Sequence, residues 1–61
     1  MYIKLLGANG YGFPPDCTIG KIYEVNLYDF ETFYDDAGNK NLSYLGDKGE
    51  WQVVDKDGNE L

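Results

Sequence analysis

Asp35 and Asp36, with Asp29 and Glu31 just ahead of them, are the carboxylates close enough in sequence to act as an acid–base pair. Such a pair works only when one member is desolvated and its proton affinity raised. Adjacent acids just before Gly38 read more simply as the solvated tip of a hairpin. Asp55-Lys56-Asp57-Gly58-Asn59-Glu60 sets oxygen ligands at alternate positions, as a calcium loop begins. Its sixth position, where the sharp turn needs glycine, is Glu60, so an Asp-Gly turn is expected there. Cys17 needs a cation or base at hand to become a thiolate, and only Lys21 is near. A small buried apolar side chain is its plainer role. Gly7, Gly10 and Gly12 form loops, without the spacing or the Lys-Ser/Thr of a phosphate cradle. The chain has no histidine, which removes the commonest general base and the commonest zinc ligand. The expectation is a protein that is not an enzyme and has no catalytic residues, no metal and no cofactor.

The charge points the same way. Eleven acids against five lysines, with no arginine, give a net charge of −6 over 61 residues. That balance disfavours nucleic acid as a partner, because phosphate recognition rests on clustered cations and on the bidentate guanidinium. No run approaches the ~20 apolar residues of a membrane span, so no membrane partner is expected. Gly7 interrupts the first apolar run too early for a secretory signal, and a lone cysteine suits a reducing cytoplasm. What remains is aromatic: six Tyr, three Phe and one Trp. Tyr11 and Phe13 lie between glycines and ahead of Pro14-Pro15, either as exposed anchors or folded back as a lid. Phe13 suits the lid and Tyr11 exposure. Tyr28, Tyr34 and Tyr44 are strand tyrosines whose rings can pack while their hydroxyls reach water. Since aromatic anchors dominate interface energetics, the candidate partner-binding residues are Tyr11, Phe13, Tyr28, Tyr34 and Tyr44, with Asp35 and Asp36 between them.

The elements that must position these residues are strands. Apolar residues nowhere recur with a helical period, whereas short runs rich in Tyr, Phe, Val and Ile alternate with glycines and Asp/Asn pairs. Met1–Leu6 is the first run, and a long ordered loop over Gly7–Asp16 follows. Lys21–Leu27 has the cleanest alternation, with Tyr23, Val25 and Leu27 on one face. Phe30–Tyr34 is a third run, turned by Asp35–Asn39 into a fourth over Asn41–Leu45. Gly46–Gly49 connects to a fifth, Glu50–Val54, with Trp51 and Val53 on one face. Residues 1–61 are therefore expected to form one all-β domain, a small five-stranded SH3-like barrel with a long loop after the first strand. A twisted antiparallel sheet that buries one face by dimerising is the alternative.

One block carries a resemblance. Thr18-Ile19-Gly20-Lys21-Ile22-Tyr23-Glu24-Val25 resembles the T-x-G-K-x-Y-x-V strand of very small bacteriophage and prophage proteins. In these an Asp/Gly turn and an acidic-aromatic strand like Glu50-Trp51-Gln52-Val53-Val54 come later. The resemblance spans residues 1–54, with the Gly20–Val25 block its specific part. It implies an SH3-like barrel of viral origin, mostly without assigned function, and brings no active site with it. Leu27-Tyr28-Asp29-Phe30-Glu31 and Gly49-Glu50-Trp51 also resemble the peptide-binding signatures of eukaryotic SH3 domains, whose grooves hold polyproline helices. Here the first signature follows the Gly20–Val25 strand rather than preceding it, and the Pro-x-Asn-Tyr element is absent. The plainer reading keeps these rings as strand residues of a small core.

Three roles follow as expectations. The first is a phage-type interaction module in the cytoplasm of an infected bacterium, binding and modulating a host or phage protein through an aromatic and acidic surface. The second is an acidic decoy that mimics nucleic acid on a host DNA- or RNA-binding protein. The third is a self-associating structural phage protein, and a monomer or weak homodimer is expected.

Overall fold

The computed structural model describes residues 1–42, 44 and 47–61, and these contain strands and turns with no helix. The strands are β1 (Tyr2–Gly7), β2 (Ile22–Glu24), β3 (Phe33–Tyr34), β4 (Lys40–Asn41) and β5 (Glu50–Val54). β1 is central to an antiparallel sheet of order β2-β1-β5, and β3 and β4 form a separate hairpin. Two-residue periodicity explains the inner face. Ile3 and Leu5 of β1 are fully buried, opposite Val53 and Trp51 of β5, and Ile3 is also opposite Tyr23 of β2. Phe33 of β3 closes this core from the other sheet, where Tyr23, Phe33 and Trp51 meet edge to face at centroid separations of 5.1–5.7 Å. Each such ring pair adds about 0.5–1.5 kcal/mol beyond the area it buries.

The outer face of the sheet is covered as well. Val54, opposite Tyr2, is 1% exposed although its neighbours in sequence point the other way. Beyond it the chain turns, bridges back from Glu60 to Val54, and brings Gly58 against the Ile22 side chain of β2. Because β1 lies between β5 and β2, this turn crosses the outer face of β1.

The turn is one of a matched pair. In Asp35-Asp36-Ala37-Gly38-Asn39 the Asp35 carboxylate accepts the N–H groups of Ala37 and Asn39, at 3.0 and 2.9 Å. In Asp55-Lys56-Asp57-Gly58-Asn59 the Asp55 carboxylate accepts those of Asp57 and Asn59, at 2.9 and 3.0 Å. Both turns also bond Gly N–H to Asp C=O and Asp N–H to Asn C=O, and Gly38 and Gly58 have φ of 82° and 91°. This is a three-residue hairpin loop closed by a left-handed glycine. The calcium-like segment is thus a backbone turn whose leading carboxylate is already occupied by N–H donors.

Several expectations are corrected. The hydrogen bonds draw sheets of three and two strands, and no closed five-stranded ring exists among the described residues. β2 and β3 share a single bridge, Asn26 to Thr32, which in the same register would next set Glu24 against Tyr34. That second bridge does not form, and Tyr34 pairs with Lys40 on the opposite side of β3. The second strand ends at Glu24 and not Leu27, because Asn26 starts a turn. Its side chain accepts the Tyr28 N–H at 3.0 Å and its carbonyl the Asp29 N–H at 3.3 Å. Phe30 does not open the third strand but lies in the turn. The fourth strand is confined to Lys40–Asn41, and Ser43, Leu45 and Gly46, expected in that strand and the following connector, lie outside the described residues. The long first loop contains a tight bridge between Asn9 and Gly12, and Gly49 N–H bonds the Gly12 carbonyl.

Candidate functional site

The turn that joins β2 to β3 projects its apolar side chains away from the core. Tyr28 is fully exposed, Phe30 is 85% exposed and Leu27 is 55% exposed. The loop is nonetheless well fixed. Asn26 N–H bonds Thr32 C=O at 2.8 Å, Thr32 N–H bonds Asp29 C=O at 3.1 Å, and the buried Thr32 hydroxyl reaches the Asp29 carboxylate at 3.3 Å. Asp29 also pairs with Lys40 of β4, and that ammonium holds its carboxyl below the usual carboxylate range. Phe30 and Glu31, the central residues of the last turn, have φ of 53° and 58°. Two successive positive φ values match the right-handed twist of a hairpin, but Asn-Gly supplies them at far lower steric cost than Phe-Glu. The sequence accepts backbone strain to keep a ring at the tip.

Beside the tip lies an open groove of about 680 Å³ lined by β2, the turn that follows it and Tyr34 of β3. Ile22, Glu24, Val25, Tyr28, Thr32 and Tyr34 are among the residues that line it. The groove is pinned where Asp36 accepts hydrogen bonds from Thr18 Oγ1 at 2.6 Å and Tyr23 Oη at 3.2 Å and pairs with Lys21. The Lys21 ammonium, then the Thr18 hydroxyl, holds the Asp36 carboxyl below its ordinary range. The Tyr23 hydroxyl also accepts the Thr18 N–H at 2.8 Å, and burial pushes its pKa up to about 12. Cys17 packs half-buried beside this cluster. Burial and the nearby carboxylates raise its pKa, so at neutral pH it is a thiol and not a nucleophile.

The expected site residues therefore separate. Tyr28 and Tyr34 share the groove, and Tyr34 is also exposed. Tyr11 stands exposed on the first loop, its N–H held by the Asn9 side chain at 2.8 Å. Phe13 remains 42% exposed, and the residue of that loop that is buried is Pro14. Tyr44 is half-buried against the core and Met1, and burial raises its pKa. Asp35 and Asp36 are engaged by backbone and side-chain donors, so neither has the free desolvated partner that acid–base chemistry requires. Leu27 and Phe30 were absent from the expected site because strand alternation assigns them to a core. Asn26 was the available signal, since Asn readily turns the backbone through its own side chain. Among the described residues, no group of three or more His, Cys, Asp or Glu is placed to hold a metal ion, and no helix is long and apolar enough to cross a membrane. Comparison with protein-family models, with curated proteins and with solved structures finds no match for this chain.

Proposed function

We propose that this chain is a non-enzymatic binding module that engages a protein partner through the β2–β3 tip. The observation that carries the reading is the tip itself: Leu27, Tyr28 and Phe30 are exposed together on a loop held at both ends by hydrogen bonds and an ion pair. Exposed apolar clusters on small monomers mark interaction surfaces, and a rigid ring loses little entropy on binding. Backbone strain that keeps Phe30 outward supports the same conclusion, since strain persists where it is of use. The Gly20–Val25 pattern further suggests an opened SH3-like barrel from a bacteriophage, acting on a host or phage protein in the bacterial cytoplasm.

Capture from a bacterial lysate on the immobilised chain tests this. A discrete partner retained by the native chain and by Tyr11→Ser, and lost with Y28S/F30S, is the expected result. Equal capture by Y28S/F30S, or none by the native chain, overturns it. Capture should persist between about 0.05 and 0.2 M salt, whereas an acidic decoy would release its partner over that range. The decoy has less material to work with. Asp29 and Asp36 are paired with lysines, and Asp35 and Asp55 are turned onto backbone donors.

A further inference from the structure

The outer face of β2 and β3 carries a charge that the chain leaves unbalanced. The Asn26–Thr32 bridge sets the register of the two strands, so Glu24 lies beside Tyr34 without a bridge between them. On the neighbouring strands, Tyr2 of β1 is opposite Glu24, and Lys40 of β4 is opposite Tyr34. Tyr23, Val25 and Phe33 are buried in the core, and two-residue alternation turns Tyr2, Glu24, Tyr34 and Lys40 to the other side. Glu24 thus stands in a row between two tyrosines. It shares the open groove with Tyr34 and with the fully exposed Tyr28.

Charge selects the occupant. Lys21 is held by Asp36 and Lys40 by Asp29, and Glu24 has no ion pair among the described residues, Lys4 of the same face included. An exposed carboxylate beside accessible aromatic rings attracts a cation twice over, by charge and through the ring quadrupole. A guanidinium suits both at once, because its planar fork pairs with a carboxylate while its face stacks on a ring. A second copy of this chain has no arginine to offer and repeats the net charge of −6. A free small cation would leave the apolar tip beside the groove uncovered. A protein surface instead covers Leu27, Tyr28 and Phe30 as its arginine enters.

We infer that this groove receives an arginine side chain of the protein partner. Its guanidinium pairs with the Glu24 carboxylate and stacks against the rings of Tyr28 and Tyr34. Glu24 then sets specificity, and the tip supplies the apolar contact. The inference rests on the binding role proposed above and names the chemistry that the partner presents.

The probe is the blocked tripeptide acetyl-Leu-Arg-Leu-amide, and the readout is NMR of the native chain. Resonances of the Glu24 carboxylate and of the Tyr28 and Tyr34 rings should shift together and saturate, with Kd on the order of 10 mM. Glu24→Gln, a change at an exposed position, should keep the amide spectrum of the folded chain and weaken binding about fivefold. The same peptide with citrulline for arginine keeps the shape, loses the charge and should give no saturation. Equal binding of the citrulline peptide, equal binding by the Glu24→Gln chain, or no saturation with arginine overturns the inference. Shifts spread equally over the other exposed carboxylates overturn it too. Should arginine fail while Y28S/F30S still abolishes partner capture, the arginine is wrong and the tip remains the docking surface. Should Y28S/F30S capture as the native chain does, the binding role falls and the inference falls with it.

Discussion

At the scale of single residues, two glycines and one tyrosine hydroxyl bear most directly on stability. Gly49 has φ of 98°, and a β-carbon there would stand 2.6 Å from Trp51 Nε1 and 3.1 Å from Pro14 Cγ. Gly49→Ala should cost about 2–4 kcal/mol, combining a left-handed backbone with a clash against the core ring. At Gly58 the close atom is the mobile end of Ile22, so Gly58→Ala should cost only about 1 kcal/mol, mainly conformational. Urea denaturation followed by far-ultraviolet circular dichroism separates the two. Tyr23 predicts a pH effect. Its folded pKa of about 12 exceeds the ordinary value of 10, so its contribution is intact below pH 10 and lost as pH rises toward 12. Ultraviolet titration should show one tyrosine ionising last, and Tyr23→Phe should delete that step.

At the scale of elements, the β2–β3 hairpin sets function against stability. Replacing Phe30-Glu31 by Asn-Gly gives the turn residues that accept positive φ, and should stabilise the chain by about 1 kcal/mol. The same change removes the exposed ring and should abolish partner capture. A variant that gains stability and keeps full binding would show that Phe30 is not an anchor. This hairpin is also where the sequence was hardest to read. Ile3 and Leu5, and Tyr23 and Val25, announce β1 and β2 because alternation on a half-buried strand is itself the signal. Gly38 and Gly58 announce their turns because few other residues take their backbone angles. Leu27 continues the alternation of Val25 whether or not the chain turns at Asn26, so pattern alone assigned it to the core. No propensity places Phe and Glu together in left-handed backbone. That choice depends on Thr32 being buried and Asp29 being held by Lys40, which are tertiary facts. The candidate site was accordingly half legible: Tyr28 and Tyr34 were expected, whereas Leu27 and Phe30 depend on where the hairpin turns.

At the scale of the whole molecule, a chain with a radius of gyration of 10.4 Å has little core and relies on surface ties. Asp29, Asp36 and Asp55 all have folded pKa values below the ordinary one, through Lys40, Lys21 and Asn59 respectively. A depressed carboxylate stabilises the fold above its unfolded pKa and ceases to do so as pH falls through its folded pKa. Stability should therefore be level down to about pH 5 and decline below it, and acid unfolding monitored by circular dichroism tests this. The Asp36→Asn variant should decline less steeply. A midpoint unchanged from neutrality to strong acid would show that these ties carry no weight.

The ring cluster that joins the two sheets has a practical corollary. Trp51 is the only tryptophan of the chain, it belongs to the three-stranded sheet, and it touches Phe33 of the other sheet and Tyr23 at 5.6 Å. Its indole N–H is bonded to the Lys48 carbonyl at 3.1 Å. The chain thus holds its one indole at the seam between its two sheets, close enough to a tyrosine to receive its excitation. Emission from Trp51 would report the parting of the two sheets as an event distinct from the melting of either, without any label being attached.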